Sequence, residues 1–140
     1  MYLLDTNVVS ELRKVRSGKA DMNVARWAEQ SDAALLFISV VTVQEIELGI
    51  LLAERKDPAQ GSVFRTWFND QVLPAFANRI LSVDVTIALR SAALHAVAPR
   101  PVRDALIAAT ASVHGMTVVT RNISDFAQSG VVVLNPWDTN

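Results

Sequence analysis

The sequence predicts an α/β sandwich of three layers, a central and mostly parallel five-stranded sheet flanked by helices. Three observations predict it. Short apolar runs alternate with longer stretches of helical periodicity along the whole chain, the order that produces a parallel sheet covered by helices. The run Ala34 to Ser39 is apolar up to its last residue, as a strand covered on both faces must be. The 140 residues contain no internal repeat, low-complexity tract or linker, so one domain spanning 1–140 is expected, long enough for a sizeable core.

The first run, Tyr2-Leu3-Leu4, is a strand that ends in Asp5. Asp5-Thr6-Asn7 makes a turn and cap, Val8 to Arg13 a short helix, and Ser17-Gly18-Lys19 a break. Asn23 to Gln30 is helical, with Val24, Trp27 and Ala28 on one side. Ala34 to Ser39 is the second strand. Thr42 to Arg55 forms a long helix that stops at Asp57-Pro58, and Ser62 to Ala77 another, with Phe64, Trp67, Phe68 and Val72 at helical spacing. Packing is the ordinary reason for such a stripe. Arg79 to Val83 is the third strand and Val85 to Val97 an Ala-rich helix. A helix from Val102 to His114 starts beside Pro101 and stops at Gly115. Met116 to Thr120 is the fourth strand, Asn122 to Phe126 a turn, and Val131 to Leu134 the fifth strand.

Composition narrows the class. Hydrophobic residues make up 51% of the chain and the mean hydropathy is +0.26, which implies a large core plus apolar surface for a partner. The apolar stretches are too short to span a bilayer, and the start lacks the basic and apolar regions of a signal peptide. Cysteine is absent, which removes disulfides and thiolate metal sites. A cytoplasmic protein without membrane contact is the expectation. The net charge of −1 does not announce a nucleic-acid binder. Arg13, Lys14, Arg16 and Lys19 cluster with no acid between them, but a solvated loop accounts for such a run.

Ligands of open α/β sheets bind outside the carboxyl ends of the strands. Asp5 follows the first strand and Glu45 lies just past the second. Thr120, Asn122 and Asp125 follow the fourth, and Asp104 begins a helix after a proline-rich turn. Each has a structural explanation. Asp5 or Thr6 can cap a helix. Thr42-Val43-Gln44-Glu45 matches the capping box. Asp104 suits the positive end of a helix, and Asn122 can cap the turn ending in Asp125. Together they say more. Carboxylates brought together raise each other's pKa, and a divalent cation removes that cost. Oxygen ligands suit magnesium or manganese. His95 and His114, among Ala, Val and Gly, read as structural. There is no phosphate-binding glycine loop, no nucleophile elbow and no dinucleotide fingerprint.

The ordered set Leu3-Leu4-Asp5-Thr6-Asn7, Thr42-Val43-Gln44-Glu45-Ile46-Glu47-Leu48-Gly49, Asp104-Ala105-Leu106-Ile107-Ala108-Ala109-Thr110-Ala111, Val119-Thr120-Arg121-Asn122 and Asn135-Pro136-Trp137 resembles the PIN-domain ribonucleases. Within them it is similar to the VapC-type toxins of toxin–antitoxin pairs, including the FitB-like branch. The resemblance implies a PIN-like sandwich and a metal-dependent endoribonuclease that cuts transfer or ribosomal RNA. It implies Asp5, Glu45 and Asp104 as the three acids, with Mg²⁺ or Mn²⁺ held by Asp5 and Asp104 and reached by Glu45 through water. Many members have a carboxylate where this chain has Asn122; Asp125 can supply that charge instead. Thr6 and Thr120 would orient carboxylates. Arg13, Lys14, Arg16, Lys19, Arg100, Arg103 and Arg121 would track RNA phosphates.

The implied partners are a cognate antitoxin gripping the helices between Thr42 and Ala77, a second copy in a homodimer, a heterotetramer or larger complex, and operator DNA through the antitoxin. Two other readings stay open. A catalytically degenerate PIN module would bind the antitoxin without cutting. A phosphotransferase would use Asp5 as nucleophile, but Asn7 stands where such enzymes place a second acid.

Overall fold

The computed structural model describes residues 1–138. Its sheet contains β1 (Tyr2–Leu4), β2 (Leu36–Ser39), β3 (Ile80–Leu81), β4 (Thr117–Val119) and β5 (Val133–Leu134). The order is β3-β2-β1-β4-β5, and every pairing is parallel. The chain builds outward from β1 to β3 on one side, then returns to lay β4 and β5 on the other. The strand order therefore reverses between β1 and β4, where open sheets leave a crevice for ligands.

Alternation along the strands makes the three layers. Leu4, Leu36, Ile38 and Val119 enter one core with Val8, Val9, Ile46, Ile50, Phe68 and Val72. Leu3 and Val118 enter the other with Ile107, Ala108, Ala111 and Phe126. The first face carries α1 (Thr6–Leu12), α2 (Met22–Gln30), α3 (Val40–Lys56) and α4 (Pro58–Trp67). The second carries α6 (Val85–Val97) and α7 (Val102–His114), which follow α5 (Leu73–Ala75). Among the described residues no helix is long and apolar enough to cross a membrane.

Several boundaries differ from the sequence expectation for local reasons. The run at Ala34 begins as a 3₁₀ turn over Ala33–Leu35, because Asp32 accepts the Ala34 N–H and holds it; β2 starts only at Leu36. The long helix begins at Val40, not Thr42. Ser39 is its cap, accepting the Val41 N–H at 3.0 Å, so the capping-box reading of Thr42 and Glu45 does not hold. Asp57 ends α3 and caps α4, with Pro58 in the first turn of α4, where its missing N–H is not needed. That helix starts four residues earlier than its periodicity suggests. It continues through a π turn at Phe68–Val72, in which the Leu73 N–H bonds to the Phe68 carbonyl. The wider turn lets Pro74 follow without breaking the rod. The edge strands β3 and β5 are two residues each, and short edges offer little to a pairing strand.

Candidate active site

Asp5 sits at the end of β1, beside the reversal point. Its backbone N–H still belongs to the sheet, bonding to the Val119 carbonyl at 2.9 Å. The residue is 5% exposed and each carboxylate oxygen is held. Oδ1 accepts the Thr6 N–H at 2.8 Å, which caps α1. Oδ2 accepts the Thr120 hydroxyl at 2.8 Å and the Asn7 amide at 3.3 Å. Capping and site-building are thus the work of one carboxylate.

Thr120 is fully buried. Besides donating to Asp5, its oxygen accepts the Asn7 amide at 3.2 Å and the Asn122 N–H at 3.0 Å. Asn7 also accepts the Arg121 N–H through Oδ1 at 3.2 Å. The loops after β1 and β4 are tied together at these atoms. The sequence places Asn7 in the turn and cap after the first strand and in the Asp5-Thr6-Asn7 motif without a role of its own; the structure gives it one.

Glu45 lies in the second turn of α3, deeper than a capping residue would. Oε1 accepts the Thr6 hydroxyl at 2.7 Å, and Thr6 Oγ stands 3.3 Å from the hydroxyl of the buried Thr42. Oε2 faces Arg103 at 3.9 Å. Asp104, in the first turn of α7, comes from the opposite layer. Burial pushes its carboxyl up to about 6, helped by repulsion from Asp5, Asp125 and Glu45 and opposed by Arg100. Burial likewise raises Asp5 above the usual range, against the hydrogen bond from Thr120, and Asp125 adds repulsion. Asp5, Glu45, Asp104 and Asp125 therefore share one field.

Asn122 is exposed. Its side chain makes no capping bond to the 3₁₀ turn Ile123–Phe126, contrary to the capping expectation. Asp125, inside that turn and half-buried, is the residue whose charge reaches both Asp5 and Asp104. His95 and His114 lie exposed in the last turns of α6 and α7.

Among the described residues no three acidic or imidazole side chains are gathered closely enough to cage a metal ion. Mg²⁺ does not need such a cage, because it keeps several waters and binds through one or two carboxylates. An all-oxygen donor set in which Asp5 and Asp104 are driven toward protonation fits a hard divalent cation.

The basic residues divide. Arg13 and Lys14 line a cleft of about 400 Å³ with Arg121, and Thr6, Asn7 and Glu45 also form its walls. Lys14 pairs with Glu11 at 3.2 Å, so the cluster is not free of acids once folded. Arg16 and Lys19 are exposed. Arg100 turns inward. Its Nε bonds to the Ala98 carbonyl, and its two terminal nitrogens are buried without a hydrogen-bond partner among the described residues.

The PIN domain family model matches residues 2–129. The VapC ribonuclease Y4jK of Sinorhizobium fredii is 36% identical over 99% of both chains. Toxin FitB of Neisseria gonorrhoeae is 33% identical over 98% of this chain and 99% of its own. The solved structure of FitAB bound to an IR36 DNA fragment matches with a TM-score of 0.87 at 32% identity, covering 100% of this chain and 98% of that one. With its acids set around the β1–β4 crevice and these relatives along its full length, the chain belongs to the PIN-domain family, on the branch of the VapC and FitB toxins.

Proposed function

We propose that this chain is the toxin of a toxin–antitoxin pair, an endoribonuclease dependent on Mg²⁺ or Mn²⁺ that hydrolyses phosphodiester bonds of transfer or ribosomal RNA. The observation that carries the reading is the shared field of Asp5, Glu45, Asp104 and Asp125 at the reversal point of the sheet. Four acids in one crevice are costly for a fold alone.

Asp5 and Asp104 would hold the cation. When bound, a divalent cation lowers the pKa of its water and polarises the phosphoryl oxygen. Glu45, fixed by the Thr6 hydroxyl, would orient the attacking water through its other oxygen. The Thr6 N–H and the Thr120 hydroxyl each hold one oxygen of Asp5, which fixes the carboxylate plane and leaves lone pairs for the cation. In-line attack would leave a 5′-phosphate and a 3′-hydroxyl. Arg13, Lys14, Arg103 and Arg121 would carry RNA phosphates toward the acids, while Arg100 would compensate Asp104 from inside. Asp125 takes the fourth acidic place.

A toxin kept in its own cell needs a neutralising partner. Leu48, Leu51, Leu52 and Val63 lie 38–56% exposed on α3 and α4, which supports an antitoxin segment laid against those helices. An antitoxin arginine would close the acids. Operator DNA would be reached through the antitoxin. Val85, Leu89 and Val97 of α6 are 68–78% exposed, an apolar face that a second copy would cover.

The test is cleavage of total transfer and ribosomal RNA by the purified protein with Mg²⁺, with Mn²⁺ and with chelator, beside Asp5→Asn. Metal-dependent cuts that vanish in the variant support the reading. An equally active Asp5→Asn protein sinks it.

A further inference from the structure

The cleft beside Glu45 is not centred on the acids. Asp5 and Asp104 do not line it; it opens against them, sharing Thr6, Asn7 and Glu45 with the site. Away from that end aromatic and basic residues alternate with Ile46 and Ile50, and Glu11 stands beside Lys14. The Arg13 guanidinium lies 4.8 Å over the Phe64 ring, and that of Arg121 lies 5.2 Å over Trp137. Trp67 completes the wall. All three rings pack against the core. Core packing alone does not explain why two of them also carry an arginine where they line an open cleft beside the acids.

A phosphate alone would not need that chemistry, since forked guanidiniums without apolar walls suffice for it. A flat heteroaromatic ring does need it, because bases stack on indoles and guanidinium planes. We propose that the cleft receives one unstacked RNA base, that of a nucleotide adjoining the phosphodiester at Asp5 and Asp104, stacked on the Trp137–Arg121 wall and against Trp67. The proposal rests on the nuclease reading above and gives its substrate a shape: RNA whose base is flipped or already single-stranded at the cut. The polar groups at the cleft's inner end are largely spoken for. Asn7 uses its carbonyl and its amide within the site, and Glu11 accepts from Lys14 and from the Asp21 N–H. Recognition by stacking with few free edge contacts tolerates several bases, so sequence preference at this nucleotide is weak.

The tryptophans supply the test. Of the three in the chain, Trp27 packs edge-on to Tyr2 at 5.7 Å and lines a different hollow. Bulk transfer RNA and a random single-stranded RNA pool are titrated into the Asp5→Asn protein while intrinsic fluorescence is read. Quenching is expected, and it is lost when Trp67→Phe and Trp137→Phe leave only Trp27. In the active protein, Trp137→Leu, which keeps the apolar contact with the core, raises KM for RNA roughly tenfold with kcat within about twofold. RNA cut by wild type without quenching, or cut by Trp137→Leu at the wild-type KM, overturns the base site and leaves the nuclease reading standing. Quenching by purified antitoxin but not by RNA assigns the cleft to the protein partner and also overturns it. Neither cutting nor binding of any RNA by folded, metal-loaded protein overturns both.

Discussion

The Thr120 hydroxyl donates to Asp5 Oδ2 at 2.8 Å across 115 positions of sequence, joining the ends of β4 and β1. The same oxygen accepts from Asn7 and Asn122, so one buried hydroxyl aims the acid and ties two loops. Thr120→Val keeps the shape but removes the donor and strands two N–H groups. It is expected to cost about 1–3 kcal/mol of stability and to lower metal affinity and cleavage roughly 10–100-fold. Thr120→Ser should retain most of both. Thermal melting and Mn²⁺ titration check this; a Val variant that binds metal like wild type would show that Asp5 needs no orienting.

The two raised acids set a pH dependence. Asp104 moves from 3.8 to about 6, and Asp5 moves in the same direction. Between the unfolded and folded pKa values the folded state binds more protons, so their contribution to stability falls as pH rises through that interval. Glu11 and Glu47 are shifted the other way by their hydrogen-bond donors, and they withdraw support only below their ordinary range. Metal-free protein should therefore melt higher near about pH 5 than near about pH 7. Mn²⁺ should restore the difference at the higher pH. Asp104→Asn should flatten the profile; a variant with the unchanged slope would place the titration elsewhere.

Asp125 and Asn122 are separated by the same logic. Asp125 adds to the charge at both Asp5 and Asp104, while Asn122 contributes its backbone N–H to Thr120 and is otherwise exposed. Asp125→Asn is expected to weaken Mn²⁺ binding and cleavage about tenfold or more, and Asn122→Ala by less than about threefold. The opposite ranking, read by metal titration and cleavage rate, would return the fourth place to Asn122.

These contrasts mark what could be read in advance. Apolar runs broken by helical periodicity announce the sheet, and Asp5, Glu45 and Asp104 stand out because each is an acid just past a strand or beginning a helix. What stayed hidden depends on side-chain direction. Nothing in Thr42-Val43-Gln44-Glu45 says that Ser39, three residues earlier, takes the cap and turns Glu45 toward Thr6. Asn7 organises the site only because β4 returns beside β1. The aromatic stripe at Phe64 and Trp67 does face the core as periodicity suggests, yet Trp137 arrives from the far end of the chain to share a cleft with it.

The spacing of α3 and α4, which carry Ile50, Phe64 and Trp67 of that cleft, depends on Gly61. A Cβ there would stand 2.5 Å from Glu54 Cγ, 2.6 Å from its Cα and 2.7 Å from its N. The side-chain atom can swing aside, but the backbone of α3 cannot, so the helices must part. Arg65 resists that parting. It holds Glu47 with both terminal nitrogens at 2.6 and 2.8 Å and reaches Glu54 at 3.2 Å. Gly61→Ala is therefore expected to destabilise by about 1–3 kcal/mol, lowering the melting temperature by roughly 3 °C for each. Arg65→Ala removes ion pairs that water screens, so it should lower the melting temperature far less than Gly61→Ala does. With the acids untouched, Gly61→Ala should bind Mn²⁺ as wild type does while its KM for RNA rises, because the cleft wall moves and the metal edge does not. A Gly61→Ala protein with wild-type melting and KM would show that α4 can slide along α3 without opening the cleft.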